Sequence, residues 1–316
     1  MKILELALSP TPKAGDQLRS TPAVPPRDQF ALPIVIFLAI VHAGAIFAVW
    51  RVTWGAVAVC LLLHAVCGGL GICIGYHRLL THRSFKCPRA VEYTLAFLGS
   101  LSLEADPTAW VAHHRQHHQY PDRPGDPHSA REGFWWSHML WIAWAPTKDA
   151  LDKLERRYTP DLYRVPFYRF LSHIWVWPSF ALGGLLYLLG GWPFVIWGVC
   201  VRLVFCYHCT WLVNSASHRF GYRTFPLDDL STNCWWVALL SYGEGWHNNH
   251  HAFPTSARHG LRFWEFDPAY GFIRLLQATG LAWDVKTPPL SKWRMRHITS
   301  EDARDRLFPE RPIEES

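Results

Sequence analysis

Residues 30–50 read FALPIVIFLAIVHAGAIFAVW, and residues 53–76 read TWGAVAVCLLLHAVCGGLGICIGY. Each run is apolar almost without a break, and no Asp or Glu occurs between Asp28 and Glu92. A helix rises ~1.5 Å per residue, so about 20 apolar residues cross a ~30 Å hydrocarbon core. Both runs are long enough. Two more stretches qualify, 172–190 and 192–214, separated by the helix-breaking Gly190-Gly191-Trp192-Pro193. The expected fold is therefore an all-α integral membrane protein with transmembrane helices at about 30–50, 53–76, 172–190 and 192–214. These form two hairpins, and the polar segments between them form a helical cap.

The rest of the 316-residue chain is polar, which is why the mean hydropathy sits near zero although half the residues are hydrophobic. That average excludes a disordered chain and an ordinary soluble domain. The net charge of +6 is not gathered with aromatics in a nucleic-acid pattern. It marks orientation instead. Every Lys and Arg except Arg51 and Arg202 lies outside the hairpins, in the N-terminal tail, in 77–171 or after 216. The positive-inside rule then places both termini and the cap in the cytoplasm. Residues 1–29, Pro-rich and with no signal-peptide pattern, are expected to be a flexible cytoplasmic tail. Residues 286–316 are expected to be a charged surface tail. Arg202, inside the fourth span, is expected to snorkel toward the interface. The eight cysteines imply no disulfide framework, and Cys206-x-x-Cys209 lacks a second pair.

The 18 histidines carry the chemistry. His77 and His82 stand five residues apart at the end of the second span. Five α-helical residues turn through ~500°, so the two rings converge only if the helix ends near His77 and the chain bends. His114, His117 and His118 have i, i+3, i+4 spacing, which puts them on one helix face. His247, His250 and His251 repeat it. His218 follows the fourth span, with Asn214 one turn before it. A lone histidine is usually a packed or surface residue. Three clusters at one end of the spans, two with identical spacing, are ligand sets for one or two metal ions. H-E-x-x-H is absent, and Glu244-x-x-His247 is the single E-x-x-H, which favours Glu244 as a residue that orients ligands.

These residues resemble the membrane fatty acid desaturases of the Δ9 type, whose three histidine boxes read here HRLLTH (77–82), HRQHH (114–118) and HNNHH (247–251). GYHRLLTHRSFK (75–86), DPH (126–128), NSASHRFGYR (214–223) and GEGWHNNHHAFP (243–254) extend the likeness, which runs from about Phe30 to Pro288. The resemblance implies a desaturase domain over 30–285 and two non-haem irons. The ligands it implies are His77, His82, His114, His117, His118, His218, His247, His250 and His251, with Asn214 acting through a water. It implies O2-dependent insertion of a cis double bond, at Δ9, into a saturated acyl chain in the bilayer. Glu104, Asp106, Asp126 and Glu244 are then candidates to orient ligands, with helix capping or loop duty as the alternative.

Trp110, Thr210 and Trp211 are expected to line the acyl tunnel. Trp135, Trp136, Trp141 and Trp144 are expected at the membrane interface. Gly68, Gly69 and Gly71 either let the tunnel end against backbone or let helices pack closely. The segment before box two holds Ala112 and His113, where acyl-CoA desaturases of animals carry an Arg-Asp pair. It is more similar to the plant and cyanobacterial branch, which leaves acyl-CoA and a glycerolipid as rival carriers. No His-Pro-Gly-Gly haem motif follows the core, so electrons are expected from a separate ferredoxin or a protein of the cytochrome b5 type. The rival readings are a di-iron hydroxylase on the same scaffold and a histidine-rich metal transporter. A transporter would place its ligands at the bilayer midplane.

Overall fold

A computed structural model describes residues 29–288. The architecture is helical apart from a two-stranded ribbon, in which β1 (Gln29–Phe30) pairs antiparallel with β2 (Trp144–Ala145). Three helices are long and apolar enough to cross a membrane: α1 (Leu32–Trp50), α2 (Trp54–Thr81) and α9 (Trp177–His218). Between α2 and α9 lie α3 (Arg89–Ser100), α4 (Pro107–Gln119), α5 (Phe134–His138), α6 (Lys148–Tyr158), α7 (Pro160–Tyr163) and α8 (Pro166–Ile174). After α9 come α10 (Trp235–Leu240), α11 (His247–Ala252) and α12 (Pro268–Ala278).

α9 has 42 residues, which a straight helix would stretch over ~63 Å, about twice a hydrocarbon core. It is not straight. Gly191, at φ 63° and ψ −156°, breaks the helix within the expected Gly-Gly-Trp-Pro stretch. Beyond it the chain doubles back. A methyl group on Gly198 would lie 2.7 Å from Leu186 Cδ1, and one on Gly183 would lie 3.8 Å from Val199 Cγ2.

The sequence expectation for box one needs correcting. α2 does not end at His77. From Ala65 it widens into a π-helix that runs to Thr81. The His82 N–H then bonds the His77 carbonyl five residues back, at 3.1 Å. Wider turns bring residue i+5 over residue i, so the two rings meet at 4.7 Å between centroids without a bend.

α3 crosses this widened stretch at small residues. A methyl on Gly71 would sit 2.4 Å from the Gly99 nitrogen, and one on Gly75 would sit 2.9 Å from the Leu95 oxygen. Gly71 therefore serves helix packing. Gly71→Val is expected to abolish recovery of monodisperse protein, because the clash is with backbone. Gly184→Val, which meets nothing within 4 Å, is expected to be recovered normally. Size-exclusion chromatography of both variants from solubilised membranes checks this.

Arg202 does not snorkel. It is fully buried, donating from Nη1 to the Leu101 carbonyl at 2.6 Å and from Nε to the Gly198 carbonyl at 3.0 Å. Leu101 caps α3, whose Leu98, Gly99 and Ser100 carbonyls take the N–H groups of Leu101, Ser102 and Leu103, and its own carbonyl lies just beyond them. A guanidinium satisfies that terminus where water cannot.

Candidate metal centre

Asp106 starts the helix that carries box two. Its Oδ1 accepts from the backbone of Thr108 and Ala109 at 2.9 and 3.2 Å, and Pro107 occupies the first turn. Ser172 Oγ also donates to it, at 2.7 Å. Asp106 thus fixes where α4 begins. Box three rides on the six-residue α11, too short to be stable alone. Its two asparagines brace it. Asn248 Oδ1 accepts from the backbone of Thr224 and Phe225, both at 2.7 Å. Asn249 donates to Glu265 Oε2 and to the His259 carbonyl, both at 2.9 Å, and accepts from Asn233 Nδ2 at 2.9 Å.

These supports gather the histidines into two groups. In one, His77, His82, His114, His118 and His250 each offer a ring nitrogen, all within 4.8 Å of one another. His117, His218, His247 and His251 make the other to the same limit. Nε2 atoms face each other across both. The His77–His250, His118–His114 and His250–His118 distances are 3.2, 3.1 and 3.0 Å, and His117–His251 is 3.3 Å. Asn214 lines the cavity that reaches both groups.

Carboxylates hold the outer ring nitrogens. His117 Nδ1 lies 3.0 Å from Asp126, His218 Nδ1 2.8 Å from Asp122, His251 Nδ1 3.0 Å from Asp229 and His77 Nδ1 2.7 Å from Glu244. An Nδ1–H bonded to an acid leaves the Nε2 lone pair pointing inward. Burial alone would raise the acids. For Asp122, hydrogen bonds from His218, Leu230 N–H and Ala130 N–H outweigh it and hold the carboxyl down at about 2. Asp126 and Asp229 are held down in the same way by the imidazoles beside them, and Glu244 first by Arg78 and then by His77 and His259.

Converging lone pairs repel unless a cation lies among them. Several buried ring nitrogens also lack a hydrogen-bond partner, including His82 Nε2, His218 Nε2 and both nitrogens of His247. This donor set fits divalent metals that imidazole favours, iron among them.

Sequence reading did not select Asp122, Asp229, Arg78, Asp267 or His259. Asp122 sits at φ 54° in the turn between box two and DPH, the one local signal for it. Arg78, inside box one, donates to Glu244 at 3.0 Å and pairs with Asp267 at 2.9 Å. His259 Nδ1 lies 3.0 Å from Glu244.

A cavity of about 580 Å³ leads to the centre. It runs from Pro33, Ile34 and Phe37 of α1 and from Trp175, Val176 and Phe180, past tryptophans, to His77, His114 and His247. Trp110, Thr210 and Trp211 all line it. So do Trp136, Trp141 and Trp144, which the sequence had assigned to the interface; Trp135 is exposed. The reason is geometric, because the 134–146 segment folds over the cavity and its β2 strand pairs with Gln29–Phe30, just before α1.

Glu104 also lines the cavity. It accepts from Thr210 Oγ1 at 3.0 Å, Trp110 Nε1 at 3.3 Å and Cys206 Sγ at 3.4 Å. Burial pushes it up to about 7 against those three bonds. It holds cavity-lining residues, while Asp126 and Glu244 touch histidines directly.

The family described as "Fatty acid desaturase" matches over residues 52–283. The chain is similar to a cyanobacterial protein of Anabaena variabilis named sn-1 stearoyl-lipid 9-desaturase, with 51% identity over 79% of this chain and 92% of that protein. It is 48% identical to the sn-2 palmitoyl-lipid 9-desaturase of Nostoc sp. (strain 36), over 81% of this chain and 90% of the other. It is 45% identical to the acyl-CoA C20 Delta5-desaturase of Anemone leveillei, over 80% and 81%.

Proposed function

The chain belongs to the fatty acid desaturase family, and on that premise we propose that it inserts a cis double bond at Δ9 into a saturated acyl chain carried on a glycerolipid. The observation that carries this is the cavity, because its largely apolar walls lead from the first two turns of α1 to histidines of both groups. His77, His82, His114, His118 and His250 would hold one iron and His117, His218, His247 and His251 a second, with Asn214 reaching it through a water, and these would supply the O2-dependent oxidising power that an unactivated C–H bond requires.

The protein supplies position and dryness. Trp110, stacked on the His114 ring at 5.1 Å between centroids, sets the chain beside the centre. Thr210 and Trp211 form the facing wall, and Glu104 ties Trp110 to Thr210. Glu104→Gln keeps the shape and the acceptor for Thr210 and Cys206, losing only the bond from Trp110, and is expected to leave monoene output within about threefold. Glu104→Leu strands all three donors, the two stronger ones at ~1–3 kcal/mol each, and is expected to lower output about tenfold, read as fatty acid methyl esters.

Charge supports a lipid carrier. Coenzyme A is a polyanion, yet no Lys or Arg lines the cavity among the described residues. The two cyanobacterial relatives are named for lipid-carried chains, whereas the Anemone protein is named for acyl-CoA.

The doubling-back at Gly191 supports four membrane crossings in two hairpins, and the Lys and Arg distribution supports a cytoplasmic cap and termini. Residues 30–285 form the catalytic unit in this reading. The tails 1–29 and 286–316 fall almost wholly outside the described residues. Electrons come from a separate ferredoxin or cytochrome b5-type donor.

Expression in a desaturase-deficient host tests the function. Δ9 monoenes two mass units below their precursors are expected, and they should appear on glycerolipid before any acyl-CoA pool. A product heavier by one oxygen would overturn the desaturase reading in favour of a hydroxylase.

A further inference from the structure

The two histidine groups are backed unequally. In the four-membered group, His117, His218 and His251 each rest Nδ1 on a separate aspartate, at 3.0, 2.8 and 3.0 Å. In the five-membered group only His77 has such a partner, Glu244 at 2.7 Å. Among the described residues, no carboxylate oxygen comes within 4.0 Å of a ring nitrogen of His82, His114, His118 or His250.

Glu244 is also shared. Its Oε1 takes Arg78 Nε at 3.0 Å, and its Oε2 faces both His77 and His259, the latter at 3.0 Å. The aspartates are less compensated. Arg223 approaches Asp229 at 4.0 Å, and no Lys or Arg among the described residues comes within 4.0 Å of the carboxylates of Asp122 or Asp126.

A carboxylate on Nδ1 raises the basicity of Nε2 and fixes the ring, and losing one such partner typically costs 10–100-fold in metal affinity. Three such partners outweigh one additional imidazole. We propose that the four-histidine group holds its metal ion much more tightly than the five-histidine group, and that Asp122, Asp126 and Asp229 set the difference. This rests on the two-iron reading above.

The test is iron release from purified, reduced holoenzyme challenged with a coloured ferrous chelator. Two phases of equal amplitude are expected, with rates at least tenfold apart. Asp126→Asn and Asp229→Asn, which keep side-chain shape, should accelerate the slow phase ~10–100-fold and leave the fast phase within twofold. Glu244→Gln should accelerate the fast phase alone. If an Asp variant purifies with a single iron, its release should follow the fast phase, which supports the proposal by the same logic. A single phase in the wild type, or Asp variants acting on the fast phase, would overturn it. A wild-type preparation holding fewer than two irons before the challenge would overturn the two-iron reading instead.

Discussion

His117→Ala is expected to reduce monoene formation at least 100-fold and to remove one iron per chain. His117 is one of the four histidines in its group, with Nε2 3.3 Å from His251 Nε2 and Nδ1 3.0 Å from Asp126. Its loss leaves three imidazoles and takes from buried Asp126 its shortest imidazole contact, leaving it the backbone N–H groups of Asp122 and His128 and the His128 ring at 3.6 Å. Losing an orienting partner alone costs ~10–100-fold in metal affinity, and losing the ligand itself should cost more. His173, exposed on α8, is the control; His173→Ala should retain full iron and full activity. Metal analysis and methyl-ester chromatography on the same cultures check both. Normal iron with normal monoenes in His117→Ala would remove His117 from the centre.

Arg78→Met is expected to prevent accumulation of folded protein. Arg78 is wholly buried, donates to the Ala257 carbonyl at 2.7 Å, and bridges Glu244 and Asp267. Removing one member of a buried ion pair typically costs ~3–5 kcal/mol, because the remaining charge has no partner. Here two carboxylates would be left, against a total stability of ~5–15 kcal/mol. Arg78→Lys should rescue little, since a single ammonium cannot reproduce the fork that reaches three acceptors. The readout is monodisperse yield from solubilised membranes, with unfolding temperature where protein survives. Wild-type yield and stability for Arg78→Met would show that the bridge is dispensable.

What the sequence made legible follows from how far its signals reach. The helical spacing of His114, His117 and His118 is local, and so is that of His247, His250 and His251. The structure gathers all six, with His77, His82 and His218, into two groups. The apolar runs likewise sit where α1, α2 and α9 lie.

Features set by long-range packing were not visible. The π-helical widening after Ala65 has no single-residue signature, so the meeting of His77 and His82 was expected from a bend. Asp229 is 22 residues from His251 and Asp122 is 96 from His218, and each reaches its histidine only through the fold. Interfacial and cavity-lining tryptophans share the same composition. Trp136, Trp141 and Trp144 become distinguishable only once the 134–146 segment closes over the cavity. Arg202 misled because a cation in an apolar run has two physical outlets, outward to the interface or inward to a helix end, and the α3 terminus that receives it lies 101 residues away.

In the proposed function, nine histidines hold two irons that carry out the desaturation. The most direct measurement is iron per chain and Δ9 monoene yield, determined together on wild type, His117→Ala and His82→Ala in a desaturase-deficient host. Two irons and abundant Δ9 monoenes are predicted for the wild type, with no more than one iron and no monoenes in either variant. Undiminished monoenes in a variant that has lost iron, or a wild type that is active with no iron bound, would contradict it.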